Sequence, residues 1–373
     1  MLYRLLANLY SEIEKTSSRL QMASLLAEFF SKTPPEIIDK VVYLTTGRLA
    51  PDFKGIELGL GESLVIKVIA TVSGKKDGTI RELLTKTGDL GDVAAGIKAS
   101  QKSLFTQELT VERVHETFMA IATSAGEKSQ DRKMKLLIEI LNDATSIEAK
   151  YIVRTVLGKL RLGVADGTLI DALVEAYGTS SGTPAQTKLP IVGMQEESSK
   201  SSCSTGVGEK NKDNIEDVED AEDIEKTESE TTVKKDTVVL GRGGITESMA
   251  KGENAEADLK GRKKSARAAI EHAYTLCADL GRVAKILAEE GLAGLVSVSM
   301  SVGVPLKPML AERAVSMREI LDRMGGVCAL DYKYDGLRIQ AHFSRLEGKS
   351  VTILYSRSNE DLTSQFPDVV GYT

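Results

Sequence analysis

The sequence predicts a multidomain chain, an all-α domain followed by the start of an α+β domain, and three observations predict it. Apolar residues recur at helical spacing through most of the first 183 residues. Between Pro184 and about Gly261 the composition turns to Glu, Asp, Ser, Lys, Thr and Gly, with no aromatic residue. From Val296 onward the apolar period falls to two, the spacing of a half-buried strand.

The helical reading begins at the N-terminus. Leu2, Leu5, Leu6, Leu9 and Ile13 share one helical face, and Leu25, Leu26, Phe29 and Phe30 continue a second, which Pro34-Pro35 stops. Further helical patterns cover Glu36–Leu44, Gly61–Val72, Val111–Ala122, Asp131–Leu141, Ile147–Leu157 and Thr168–Tyr177. Two echoes run through this part. Leu58-Gly59-Leu60-Gly61 returns as Leu162-Gly163-Val164-Ala165, and Asp89-Leu90-Gly91 returns as Asp279-Leu280-Gly281. They imply two copies of a helical unit, the second interrupted by the acidic stretch, so that 263–293 returns to the first domain. Chance similarity between helical segments is the competing explanation.

The acidic stretch accounts for the net charge of -6. From Glu196 to Thr232 there are 13 Asp and Glu against 4 Lys and Arg, which leaves the remainder of the chain slightly basic. Fixing its backbone would cost about 1–2 kcal/mol per residue, with too little apolar surface to offset it, so 184–262 is expected to be a disordered linker. It is either a length-tolerant spacer or an acidic tether that competes with DNA for basic surfaces or recruits a basic partner.

The strand pattern runs through Val296, Val298, Met300, Val302 and Val304. Cys328-Ala329-Leu330, Ile339–His342 and Val351–Tyr355 read as further strands, the first two flanking a polar turn.

Composition excludes several function classes. With 42% apolar residues the chain is not wholly disordered, and the charge-free stretch Gly291–Leu306 is too short and too broken to span a bilayer. The N-terminal helical pattern lacks a signal-peptide core, so a cytoplasmic protein is expected. Three scattered cysteines and three histidines form no disulfide framework, CxxC pair or HExxH motif, so no protein metal site is expected. Ser73-Gly74-Lys75-Lys76 lacks the glycine of a phosphate-binding loop, and Gly241-Arg242-Gly243-Gly244 reads as spacer.

Two features carry chemistry. In each helical copy glycines precede a helix, with Arg48 beside the first and Lys159, Arg161 and Gly163 beside the second. Helix N-termini and nearby cations suit the phosphates of a nucleic acid, although a mixed-charge solvated face would look the same. The other feature is Asp331-Tyr332-Lys333-Tyr334-Asp335-Gly336-Leu337-Arg338. A lysine beside carboxylates, a glycine turn and an arginine fits an amine nucleophile aimed at a phosphate. Lowering its pKa from about 10.4 to about 7.5 costs roughly 4 kcal/mol, which a partly buried site, Arg338 and a nucleotide-borne metal would have to supply. A bare Lys-x-Asp-Gly equally fits a surface hairpin with paired charges.

Lys333-x-Asp335-Gly336-x-Arg338 resembles motif I of the covalent nucleotidyltransferases. Leu354-Tyr355-Ser356-Arg357 leading to Leu362–Asp368 is similar to the next motif of ATP-dependent DNA ligases, and Pro308-Met309-Leu310-Ala311 to the entry of their adenylation domain. Met1-Leu2-Tyr3, Val41–Leu44 with Gly47-Arg48, and Gly158–Val164 resemble the helical DNA-binding domain of archaeal replicative ligases.

The resemblance implies an all-α DNA-binding domain (1–183 and 263–293) followed by an α+β adenylation domain from 294. It implies ATP and magnesium as cofactors, nicked double-stranded DNA as partner, a sliding clamp as a candidate second partner, and a monomer. Lys333 would be the catalytic nucleophile, Asp331, Arg338 and Arg357 nucleotide contacts, Asp335 and Gly336 the shapers of the loop, and Arg48, Lys159, Arg161 and Gly163 DNA contacts. Lysyl-AMP would form, AMP would pass to the 5′-phosphate of a nick, and the 3′-OH would displace it. The family usually has Glu where this chain has Asp331. Its later motifs and OB-fold would follow Thr373, so this chain alone is expected not to seal nicks. An RNA ligase, a capping enzyme or a non-catalytic DNA-binding module are the alternatives.

Overall fold

The computed structural model describes residues 1–101, 107–178, 246–308, 312–346 and 349–372, with the backbone alone for 246–257, 346 and 349. The chain divides into two units. Met1–Pro184 and Ala255–Thr373 make up the first. The second, Ala185–Asn254, is described only from Thr246, where it is helical.

Within the first unit, helices form where apolar faces and caps coincide. α1 (Tyr3–Ile13) buries Leu6, Leu9, Tyr10 and Ile13, whereas Leu5, expected on that face, is exposed. α2 (Arg19–Ser31) starts at Ser18, whose side chain accepts the Gln21 N–H, and stops ahead of the two prolines. α3 (Ile38–Thr45) and α4 (Glu62–Ser73) match their expected spans. α5 (Asp77–Thr87) buries only Ile80, which explains its weak periodic signal. α6 (Leu90–Ser100) is capped by Asp89.

A second set of six follows. α7 (Val111–Thr123) is capped by Thr110, and α8 (Ser129–Asp143) comes next. α9 (Ser146–Val156) opens with a Thr145/Glu148 capping box and leads to α10 (Asp166–Tyr177). α11 (Thr246–Cys277) begins inside the stretch expected to lack structure, because residues 249–260 are rich in Ala, Glu, Lys and other strong helix formers. The remainder of that stretch, 184–245, lies outside the described residues. α12 (Leu280–Gly294) is capped by Asp279, the echo of Asp89.

The two sets interlock. α1 packs on α9 as α7 packs on α3; α2 packs on α10 as α8 packs on α4; α6 packs on α9 as α12 packs on α3. One isolated bridge joins Leu2 to Thr110, with Tyr3 N–H donating to Leu109 O at 2.8 Å and Val111 N–H to Met1 O at 2.9 Å. Each set thus buries its apolar faces mainly against the other, in a single core. The echoed glycines sit at the closest approaches. A Cβ on Gly91 would lie 2.7 Å from Lys150 O, and one on Gly281 would lie 2.4 Å from Tyr43 Cζ. Asp279 accepts from Tyr43 OH at 2.6 Å, and at the matching position Asp89 accepts from Arg154 Nε at 3.0 Å.

The C-terminal part differs from expectation in two places. Val296–Val304 is not a strand: it forms a 3-10 turn (Leu295–Ser297) and irregular chain, with Val298 buried and Val296, Met300 and Val302 exposed. Cys328–Leu330 is likewise irregular and largely exposed. Neither segment finds a neighbouring strand among the described residues, and a strand without a partner leaves its ladder groups unpaired. Among the described residues the sheet is one antiparallel hairpin, β1 (Gln340–Leu346) and β2 (Lys349–Tyr355), in register Gln340 opposite Tyr355. Short helices α13 (Met317–Arg323) and α14 (Pro367–Tyr372) flank it.

Residues 303–307 run between the hairpin and α11. Gln340 brackets Leu306, accepting its N–H at 3.0 Å and donating to its carbonyl at 2.7 Å. Tyr355 OH donates to Gly303 O at 2.7 Å, and Lys307 N–H to Thr275 O at 2.9 Å.

Candidate nucleic-acid interface and nucleotidyl site

Arg48 and Lys159 occupy equivalent turns. α3 ends with Gly47 at φ 73°, whose N–H reaches Leu44 O at 3.0 Å while Arg48 N–H reaches Tyr43 O at 2.9 Å. α9 ends with Gly158 at φ 64°, with the matching bonds to Thr155 O at 3.0 Å and from Lys159 to Arg154 O at 2.8 Å. Both are Schellman caps, whose left-handed position strongly favours glycine, so the next residue leaves the helix in a fixed direction. In both turns that residue is a cation. Arg161 (φ 48°) and Gly163 (φ 70°) continue the second turn toward α10.

Each cation meets an acid at the start of a helix belonging to the other set. Lys159 Nζ lies 3.0 Å from Glu62 Oε2, at the first residue of α4. Arg48 lies 3.8 Å from Asp166 Oδ1, at the first residue of α10, and 2.9 Å from Asp52. Asp166 also accepts from Lys307 at 2.8 Å and from Tyr274 OH at 2.6 Å. Burial acts to raise the Asp166 carboxyl, but the Lys307 and Tyr274 hydrogen bonds, with the charges of Lys307 and Arg48, outweigh it and hold the group below its usual range. Burial, then the Asp166 charge, pushes the Tyr274 hydroxyl well up.

Lys333 stands elsewhere, on the irregular chain between α13 and β1. Residues 331–338 are all exposed, with Tyr332 at 84% and Tyr334 at 83%. The one side-chain hydrogen bond described there runs from Tyr332 N–H to Asp331 Oδ1 at 2.8 Å, and Gly336 has φ 153°. Among the described residues, Lys333, Arg338 and Arg357 have no side-chain hydrogen bond or ion pair. The partly buried pocket expected around Lys333 is therefore not formed by these residues, and no ion pair or hydrogen bond joins Lys333 to Asp331, Arg338 or Arg357. Arg357 is better fixed. It lies in a turn closed by Ser356 N–H to Glu360 O at 2.9 Å and Leu362 N–H to Leu354 O at 2.8 Å, with Asn359 at φ 67°. No group of three or more His, Cys, Asp and Glu among the described residues is placed to hold a metal ion. Of the domain-entry segment, 309–311 lie outside the described residues.

Two stretches of the chain match known families. Residues 2–174 match the family model described as DNA ligase N terminus, and 308–373 match that described as ATP dependent DNA ligase domain. The chain belongs to the ATP-dependent DNA ligase family. Its relatives include a protein named DNA ligase 2 from Thermofilum pendens, 37% identical across 99% of this chain and 49% of the relative. A DNA ligase from Staphylothermus marinus is 37% identical across 100% of this chain and 50% of its own length, and one from Nitrosopumilus maritimus is 35% identical across 99% and 48%. The chain spans about half the length of the curated relatives it matches. Arg48, Lys159, Arg161 and Gly163 fall in the ligase N-terminal match, and Asp331, Lys333, Arg338 and Arg357 in the ligase-domain match. The architecture agrees with that membership: a helical first part, then a domain with a small sheet. No helix among the described residues is long and apolar enough to cross a membrane.

Glu62, Asp166, Tyr274 and Lys307 were not singled out from the sequence. An acid at the first position of a helix after a glycine turn is its own local signal, since it complements the helix dipole. That it faces a cation from the other set is visible only in three dimensions.

Proposed function

We propose that the chain is the duplex-gripping and nucleophile-bearing portion of an enzyme that seals nicks in double-stranded DNA, serving replication, recombination and repair. In this scheme 1–183 and 263–293 form the DNA-binding domain, 184–262 links them, and 294–373 begins the adenylation domain. Arg48, Lys159, Arg161 and Gly163 contact the DNA backbone. Asp331, Arg338 and Arg357 contact ATP. The Lys333 amine, once deprotonated, forms a bond to the α-phosphorus of ATP as the bond to pyrophosphate breaks. AMP then passes to the 5′-phosphate of the nick, and the 3′-OH displaces it.

Support comes from one observation above the rest: Lys333, in its Lys-x-Asp-Gly-x-Arg setting, falls within the stretch that matches the ligase domain. Magnesium is proposed as the counter-ion of the nucleotide phosphates. A monomer, a cytoplasmic location and a sliding clamp as second partner complete the proposal.

Grafting residues 308–373 in place of the matching stretch of the Thermofilum pendens relative tests the nucleophile. With ATP and magnesium, a folded graft is expected to carry AMP on Lys333, and a Lys333→Ala graft none. A folded graft that binds DNA but carries no adduct at Lys333 refutes the assignment.

A further inference from the structure

The basic turn of each helical set meets an acid of the other set, and Arg48 is also held by Asp52 of its own set at 2.9 Å. Lys159 pairs with Glu62 at 3.0 Å, and Arg48 with Asp166 at 3.8 Å, both acids being the first residue of a helix that follows a glycine turn. The neighbours of the two turns differ: Lys133 Nζ lies 4.0 Å from where a Cβ on Gly59 would stand, whereas the Met22 methyl lies 3.9 Å from the same position on Gly163. A carboxylate against a cation at the positive end of a helix occupies the kind of place a phosphate oxygen takes.

We infer that Glu62 and Asp166 are built-in phosphate surrogates, which hold the two cationic turns in the free chain and must yield them when a nucleic-acid backbone engages. The inference rests on Arg48 and Lys159 being duplex contacts, as proposed above. It fixes a sign. A surrogate competes with DNA, so its removal tightens binding, whereas an acid that merely aims its lysine would weaken binding when removed. The two grips also differ in what else the acid does. Asp166 additionally holds Lys307 and Tyr274, while Glu62 is described only with Lys159, in a pair whose side chains are 45% and 47% exposed. Glu62 can therefore be neutralised without disturbing the core.

The test is binding of the 373-residue chain to a nicked duplex, followed by fluorescence anisotropy, with circular dichroism to verify folding. Glu62→Gln is expected to bind about two- to fivefold tighter, the range that a surface ion pair spans. Lys159→Ala is expected to cost more on the Glu62→Gln background than on the unaltered chain, by the same factor. Glu289→Gln is the charge control, since it removes one negative charge from an exposed pair with Lys285 on α12, about 15 Å along that helix from Asp279. It should leave binding nearly unchanged. Glu62→Ala, a second variant, should repeat the sign of Glu62→Gln. Unchanged or weaker binding by both Glu62 variants overturns the inference, as does equal tightening by Glu289→Gln. Failure of the unaltered chain to bind duplex overturns the DNA-binding proposal itself, and this inference with it.

Discussion

Replacing Gly281 by alanine puts a Cβ 2.4 Å from Tyr43 Cζ and 2.7 Å from its hydroxyl, where α12 crosses α3. The ring must move, and moving it breaks the 2.6 Å hydrogen bond from Tyr43 to the Asp279 cap. Overpacking costs about 1–3 kcal/mol and loss of a hydrogen bond to a charged acceptor about 1.5–3, while alanine returns about 1 through helix propensity. A central loss of about 3 kcal/mol lowers the midpoint of thermal unfolding by roughly 4–6 °C for the unit formed by Met1–Pro184 and Ala255–Thr373. Far-UV circular dichroism reads that shift, and a double-mutant cycle locates it. On a Tyr43→Ala background the space is open, so Gly281→Ala should cost less than about 1 kcal/mol. The matching variant behaves differently. A Cβ on Gly91 meets the Lys150 carbonyl at 2.7 Å as well as Arg154 Cγ at 2.8 Å, so Arg154→Ala should not rescue Gly91→Ala. If Gly281→Ala melts with the unaltered chain, or if Tyr43→Ala gives no relief, the close-approach account of the echoed glycines is wrong.

Other expectations concern charge. Asp166 is held below its usual range in the folded state, so it adds stability that is complete above the unfolded carboxyl pKa of about 3.9 and is lost as pH falls through the lower folded value. An acid titration of stability should therefore be shallower for Asp166→Asn than for the unaltered chain, and equal slopes would count against the Lys307–Asp166 bond. Affinity for nicked duplex should fall steeply with salt, and Lys159→Ala should reduce the slope of log affinity against log salt by about 1, as loss of one phosphate contact does. A slope unchanged in that variant would remove Lys159 from the interface.

Much of the helical part is legible in the sequence, because an amphipathic face is a local pattern. α1, α2 and α7 follow from their apolar spacing, while the caps Ser18, Thr110 and Asp89 come from the structure. Patterns fail where burial depends on a partner. The alternation at Val296–Val304 resembles a strand, yet only Val298 and the half-buried Val304 turn inward, and no strand among the described residues pairs with it. Lys333 stands out by its neighbours in sequence, but the pocket expected around it needs side chains that the described residues do not place there. Arg48 and Lys159 are conspicuous as cations after glycines. Their acids are not, because each ion pair joins residues about a hundred positions apart.

The interlocking of the two helical sets bears on how the chain is made. A nascent first set, emerging from the ribosome at about 5–20 residues per second, has α3 awaiting α12 and α4 awaiting α8, so much of its greasy surface stays wet during synthesis. Because the entropy of closing a long loop grows only logarithmically, lengthening the segment between α10 and α11 would add little thermodynamic burden while delaying completion of the core. Evolution could thus vary that segment freely in length, with the time spent half-assembled as the chief constraint.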